Sequence, residues 1–317
     1  PAPLFMPYMT VLDAVKAGAK QILVNSLSFD DTRAASISEF LPSLLVGLLT
    51  ALLLYLAARG RSPPYISKQW CKYKVIGKRV VSEGPRPVVF FTVGVRTKDM
   101  PTGSHVKIRA RTEDGEEVIK SYTPTRFDGD SCEIMIRIYP DGMMTPILSK
   151  LEVGSYMEMM GPTGLHRYGT EGPGTFTHGK RSYKAKRVGM LAGGTGVTPM
   201  VQIVNHILGG EDGTEVKLIL FSSRRDEVLL ESELRSLSAN SSGQLSVRFL
   251  CSSPSSSTPQ PPDVTEATSM RRLSGSDLLA LAGVGEGEEA DSMVLICGPD
   301  GFVKHAKQKL KEAGMPN

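Results

Sequence analysis

Cysteine is scarce. The 317 residues hold four, Cys71, Cys132, Cys251 and Cys297, widely scattered. No CxxC pair or Cys/His cluster occurs, which argues against a zinc site, an iron–sulfur cluster and a haem attachment site. Four cysteines in so long a chain do not make a disulfide scaffold, so a reducing compartment suits the main body. No paired carboxylates, Ser/His/Asp set or metal-binding cluster is evident. Excess charge is small as well. A net charge of +4 is too weak to argue for nucleic acid, but it suits an acidic protein partner or an anionic membrane surface.

What is present falls into regions. "FLPSLLVGLLTALLLYLAA", residues 40–58, carries no charge. As a helix it rises about 28 Å, close to the hydrocarbon thickness of a bilayer. Arg59, Arg61, Lys68, Lys72 and Lys74 follow it, whereas Asp30, Asp31 and Glu39 precede it with only Arg33 opposing. The expectation is a transmembrane helix with its flank over 39–61. Everything beyond it would face the cytosol or mitochondrial matrix, at a mitochondrial or endoplasmic reticulum membrane. Ser62-Pro63-Pro64 reads as a stiff stalk. Residues 1–38 form a head, in which Val11, Leu12, Val15, Ala19 and Ile22 share one helical face. That face would lie on the membrane or pack on a membrane-complex partner. The first residue is Pro rather than Met, as in a processed chain or a fragment.

From Lys68 to about Tyr183 the pattern is β-like. "VVFFTVGV", "SHVKIRAR" and "CEIMIRIY" are strand candidates separated by turns, which suggests a small antiparallel β-barrel. "YGTEGPGTFTHGKRSYK" reads as a polar loop or linker closing that region. From Arg187 onward apolar runs ending in small residues ("RVGMLAGG", "VKLILFSS", "LSVRFLCSS", "SMVLICGP") alternate with helical stretches. That rhythm predicts a parallel sheet with right-handed crossovers. "SSPSSSTPQPPD", 252–263, is a low-complexity loop. The domains are therefore 65–184 and 186–317.

The chemistry concentrates at strand ends. Gly193, Gly194, Thr195 and Gly196 follow an apolar strand and precede a helix starting at Thr198-Pro199. The plain reading is a tight turn. The other is a turn bare of side chains, on whose backbone and helix N-terminus a pyrophosphate can lie. "CGPDG", 297–301, ends a second strand in the same manner.

"GMLAGGTGVTPM" and "LICGP", with "KSYTP" (120–124) and "GPTG" (161–164) before them, resemble the NADH–cytochrome b5 reductase family of ferredoxin-reductase-like flavoenzymes over roughly residues 68–315. The resemblance implies an FAD-binding antiparallel barrel followed by an α/β domain for NADH or NADPH. It further implies electron transfer to a one-electron acceptor such as cytochrome b5. The competing reading is a reductase-like accessory subunit of a membrane complex with little turnover. A nitrate-reductase fragment is a third idea, though no haem or molybdenum domain accompanies this chain.

Carried over by motif, Tyr122 and Thr123 lie against the flavin, with the Thr123 hydroxyl near N5. Lys120, Ser121 and Pro124 complete that cofactor-binding segment, and His105 stands by the flavin. Lys120 replaces the family's usual Arg; it keeps the charge but not the bidentate fork. Gly142, Met143, Met144 and Thr145 form the pyrophosphate segment, with Met143 in place of a usual Lys, and Arg137 and Tyr139 precede it. Gly193, Gly194, Thr195 and Gly196 cradle the nucleotide, and Thr198 and Pro199 face the flavin. Cys297, Gly298 and Pro299 lie by the nicotinamide. Thr123 and Cys297 are the catalytic candidates. Arg224 and Arg225, beyond "FSS", lie where the adenine ribose is expected, and Ser252 replaces an Asp of NADH-selective relatives. The family adds a closing strand after its last helix. Here the sequence stops at "GMPN", so either the end of the protein lies beyond these residues or the nicotinamide site is more open.

Overall fold

The computed structural model describes residues 16–17, 19–22, 30–59, 64–82, 86–97, 100–252, 264–266, 272–285 and 291–315. It divides into two units, Pro1–Ser62 and Pro63–Asn317.

In the first unit, helix α1 runs Asp31–Arg59. The side chains of residues 43–53 are all exposed, Leu44, Val46 and Leu53 among them. No helix among the described residues is long and apolar enough to cross a membrane. The transmembrane expectation over 40–58 is thus not met there. The helix begins with Asp31, Arg33 and Glu39, and the side chains at 41–42 and 54–59 lie outside the described set. Of the head positions, Ala19 and Ile22 are helical, while Val11, Leu12 and Val15 lie outside the described residues.

The second unit opens with an antiparallel sheet built from β1 (Cys71–Ser82), β2 (Val88–Gly94), β3 (His105–Arg111), β4 (Glu117–Tyr122), β5 (Arg126–Phe127), β6 (Ser131–Arg137) and β7 (Tyr156–Thr163). The strand order is β4-β3-β7-β1-β2-β6-β5. Alternating side chains put Tyr73, Val75, Phe91, Val93, Ile108, Ile134 and Met159 into one core. Short helix α2 (Thr145–Ser149) leads into β7 and buries Leu148 there.

The stretch read as a polar linker is instead ordered into strands. β8 (His166–Tyr168), β9 (Thr175–His178) and β10 (Arg181–Lys184) form a three-stranded antiparallel sheet. Gly179, with φ of +62°, turns the last hairpin. Tyr168 and Phe176 pack together from this sheet, with ring centroids 4.6 Å apart. Two of the three aromatics in these seventeen residues are enough here because both enter a core shared with the next sheet, while Tyr183 stays exposed.

That sheet is parallel, in the order β14-β13-β12-β11-β15. Its strands are β11 (Arg187–Gly193), β12 (Glu215–Ser222), β13 (Leu245–Cys251), β14 (Val264–Glu266) and β15 (Ser292–Cys297). Both faces are covered, as all-parallel sheets require. Helix α3 (Val197–Leu208) and α4 (Glu231–Asn240) meet Val188, Met190, Ala192 and Leu220 on one face. On the other, α5 (Gly275–Ala282) and α6 (Asp300–Glu312) bury Leu278, Ala306 and Leu310 against Leu191, Ile219 and Leu250. The α5 start is set by a capping box between Ser274 and Asp277. The core of the α3 face also contains Val88, Phe90 and Met135 from the antiparallel sheet. Apolar burial therefore joins the two sheets along one seam, at roughly 1.5–3 kcal/mol for each fully buried large side chain.

Candidate active site

The seam opens into a cavity of about 580 Å³, within the usual range for small-molecule sites. One wall comes from the antiparallel sheet: His105, Lys120, Ser121, Tyr122 and Thr123 line it. Arg137 and Tyr139 follow from β6, then Gly142, Met143, Met144 and Thr145 from the turn into α2. The opposite wall is the carboxyl edge of the parallel sheet, with Thr195, Gly196, Thr198, Pro199, Cys297, Gly298 and Pro299. Met135 and Ile136 also line the cavity and are absent from the motif reading, because buried apolar strand residues carry no mark in sequence. Pro124, Gly193, Gly194, Arg224 and Arg225 are not among the lining residues.

The three glycines of the turn have three different causes. Gly194 adopts φ of +53° with open space where a Cβ would stand, so it is needed for backbone shape. A Cβ on Gly193 would meet the Phe302 ring at 3.0 Å. One on Gly196 would meet the Cys297 carbonyl oxygen at 2.2 Å. Packing against β15 and α6 therefore fixes two of the glycines, and of these Gly196 also lines the cavity. Thr198 donates its hydroxyl to the Thr195 carbonyl at 3.2 Å, closing the turn.

On the other wall, Thr145 Oγ1 accepts from the Tyr139 amide at 2.9 Å and donates to the Tyr139 carbonyl at 3.1 Å. This ties the 139–145 loop into one piece. Arg137 is 8% exposed. Its Nη2 donates to the Glu227 carbonyl at 2.7 Å, and its Nε is buried with no partner. Gly164, the last residue of "GPTG", has φ of +95°, and a Cβ there would stand 2.9 Å from His105 Nδ1. Thr163 donates to the His105 carbonyl at 3.0 Å. The motif thus seats His105.

The electrostatics favour neutral groups. Burial, then Lys107 and Arg167, push the His105 imidazole below its usual range. Burial raises the Tyr122 phenol to about 12. Burial also raises the Cys297 thiol, only partly opposed by the Gly298 amide. A neutral buried thiol is a poor nucleophile, and Cys297 stands in the cavity wall.

The residues present fit a flavin and a nicotinamide nucleotide. A cation with a buried unpartnered N–H borders the 142–145 turn, where a pyrophosphate can be held. Two apolar-backed walls face each other across one cavity.

The oxidoreductase FAD-binding domain family matches residues 72–168, and the oxidoreductase NAD-binding domain family matches residues 190–308. NADH-cytochrome b5 reductase 1 of Homo sapiens is 30% identical over 290 residues, spanning 84% of this chain and 91% of that protein. This chain belongs to the cytochrome b5 reductase family. NADH–cytochrome b5 reductase 1 of Arabidopsis thaliana is 33% identical over 187 residues; the match spans 58% of this chain and 62% of that relative's length. The cytochrome b5 reductase domain of Ulva prolifera nitrate reductase superposes with a TM-score of 0.69 at 26% identity, covering 80% of this chain and 97% of that one. As a cytochrome b5 reductase family member, the chain is an FAD oxidoreductase that uses a nicotinamide nucleotide.

Arg224 and Arg225 lie just past the carboxyl end of β12. Arg224 makes a two-point contact with Asp226, at 2.9 and 2.8 Å. Arg225 pairs with Glu231, which Arg235 also contacts at 2.9 Å. The Ser252 amide donates to the Ser222 carbonyl at 3.1 Å.

Proposed function

We propose that this reductase passes electrons from NADH or NADPH through FAD to a haem protein of the cytochrome b5 type. The observation carrying the reading is the shared cavity, with Tyr122 and Thr123 on one wall and Thr198, Cys297 and Gly298 on the other. FAD, when bound, supplies the hydride acceptor and releases electrons singly. Tyr122 and Thr123 would hold the flavin ring, with the hydroxyl of Thr123 available to N5. Lys120 and Arg137 would balance the pyrophosphate charge. Thr195, Gly196 and Pro299 would position the nucleotide against that ring, where near-contact stacking supplies most of the catalytic advantage. Met135, Ile136 and Met144 exclude water behind it.

The names of the relatives, which carry cytochrome b5, support this acceptor. We further propose that residues 40–58 anchor the chain in a membrane, with the reductase on the cytosolic or matrix side. The exposed apolar side chains of 43–53 support this, because a helix apolar on all sides needs a non-aqueous partner.

The test is NADH-driven reduction of purified cytochrome b5 by the full chain, followed at the haem band, and co-flotation of the chain with lipid vesicles. Haem reduction and flotation are expected. A flavin that NADH reduces but that passes nothing to the haem would overturn the acceptor. Protein left at the bottom of the gradient would overturn the anchor.

A further inference from the structure

Helix α3 begins at the nucleotide wall and then crosses to the flavin wall. Thr198 and Pro199 in its first turn line the cavity. One turn later Gln202, 4% exposed, points into the antiparallel domain. Its Oε1 accepts the Gly103 amide at 2.6 Å. Its Nε2 donates to the Ser104 carbonyl at 3.2 Å and to the Pro124 carbonyl at 3.0 Å. Ser104 immediately precedes His105, and Pro124 immediately follows Thr123. Asn205 and His206 lie on the same helix face, three and four residues on. Asn205 donates to the Thr125 carbonyl at 3.2 Å, and His206 Nδ1 bonds Thr102 Oγ1 at 2.8 Å. One buried amide therefore ties both flavin-side loops to the helix that starts at the nucleotide turn. It does so through backbone atoms, leaving the lining side chains untouched.

We propose that Gln202 is a positioning residue for hydride transfer, setting the depth of the 122–125 and 103–105 loops relative to Thr198 and Pro199. The proposal rests on the flavin reductase reading above. An error of about 1 Å between reacting rings can cost about 100-fold in rate, so a contact of this kind acts on the chemical step more than on binding. A solely structural contact would move stability, or cofactor affinity, without singling out that step.

The test compares the FAD-loaded full chain, Gln202→Ala, Gln202→Glu and His206→Ala. Flavin reduction by NADH is followed anaerobically by stopped flow, and exchange of the Gly103 amide is measured without nucleotide. For Gln202→Ala, FAD content and the Kd for NADH stay within about threefold, the limiting reduction rate falls about tenfold or more, and Gly103 loses protection. Gln202→Glu places a carboxylate against two carbonyls. Its rate is low at neutral pH and recovers as pH falls and the acid gains a proton to donate, read against the parent profile, which carries His105 and His206. His206→Ala loses the Thr102 contact and keeps the limiting rate within about twofold of the parent.

A limiting rate within about twofold of the parent in Gln202→Ala, with FAD bound and Gly103 deprotected, would overturn the proposal. So would a Gln202→Glu profile parallel to the parent's, which decides the matter should the Ala variant not fold. A parent flavin that NADH does not reduce would overturn the reductase reading and this inference with it. A reducible parent with an equally fast Gln202→Ala variant would overturn only this inference.

Discussion

Gly196 and Cys297 touch backbone to backbone: a Cβ on Gly196 would stand 2.2 Å from the Cys297 carbonyl oxygen. The close approach brings the turn after β11 and the turn after β15 into one surface, and both turns line the cavity. Gly194 differs, since it needs only a positive φ. Gly194→Asn should therefore cost about 1 kcal/mol or less, because Asn tolerates the left-handed region. Gly196→Ala should cost about 3 kcal/mol and slow NADH-dependent flavin reduction, because neither backbone segment can yield freely. Urea unfolding of both variants checks this; equal losses would contradict it.

Cys297 is expected to work by shape. Its thiol is raised by burial, so thiolate is sparse at neutral pH. Cys297→Ser should retain flavin reduction within about tenfold, the margin expected when only positioning changes. Cys297→Leu should block reduction with FAD still bound. Complete loss in the Ser variant, with fold and FAD intact, would point to covalent chemistry.

Asp212 joins the three-stranded sheet to the parallel domain. Its carboxylate accepts from the Tyr168 hydroxyl and from the Thr214 amide and hydroxyl. Burial pushes this carboxyl up, but the Thr214 and Tyr168 hydrogen bonds outweigh it and hold it below the usual range. A depressed folded pKa gives stability that is present above the unfolded value, near 3.9. It is lost as pH falls through the folded value. Unfolding free energy should therefore decline below about pH 4. Asp212→Asn should be about 1–3 kcal/mol less stable near neutral pH and should lose this part of the acid dependence. A parallel pH profile in the variant would contradict the assignment.

Nucleotide choice should depend on Arg224 rather than Arg225. Arg225 is engaged by Glu231 in a partly buried network. Arg224 is held by Asp226, and both side chains are about two-thirds exposed, at 66% and 65%, so solvent screens the pair and a 2′-phosphate can compete for the guanidinium. NADPH should be used with kcat/KM within about tenfold of NADH. Arg224→Ala should lower the NADPH value selectively, and Arg225→Ala should chiefly lower stability. A preference for NADH of several orders of magnitude would remove any role for Arg224.

Much of this was legible in sequence for physical reasons. Parallel strands buried on both faces read as apolar runs, and "LAGG" and "LICGP" mark where they end. The flavin wall was legible only through the "KSYTP" resemblance, since Tyr122 on a strand is otherwise ordinary packing. The β8–β10 sheet was hidden because a glycine-rich segment with few apolar residues looks like a loop until Tyr168 and Phe176 meet a core from another domain. Gln202 was hidden too: a polar residue on a helix face reads as solvated, and only tertiary structure turns it inward. The partner of Arg225, Glu231, is six residues away, beyond the neighbours Asp226 and Glu227.

The most direct measurement is anaerobic titration of the purified, FAD-loaded chain with NADH, following the flavin absorption band. The account predicts bleaching complete at one equivalent of NADH per flavin, and loss of reducible flavin in Tyr122→Ala. A flavin that stays oxidised in excess NADH and excess NADPH, in a folded protein, would contradict it.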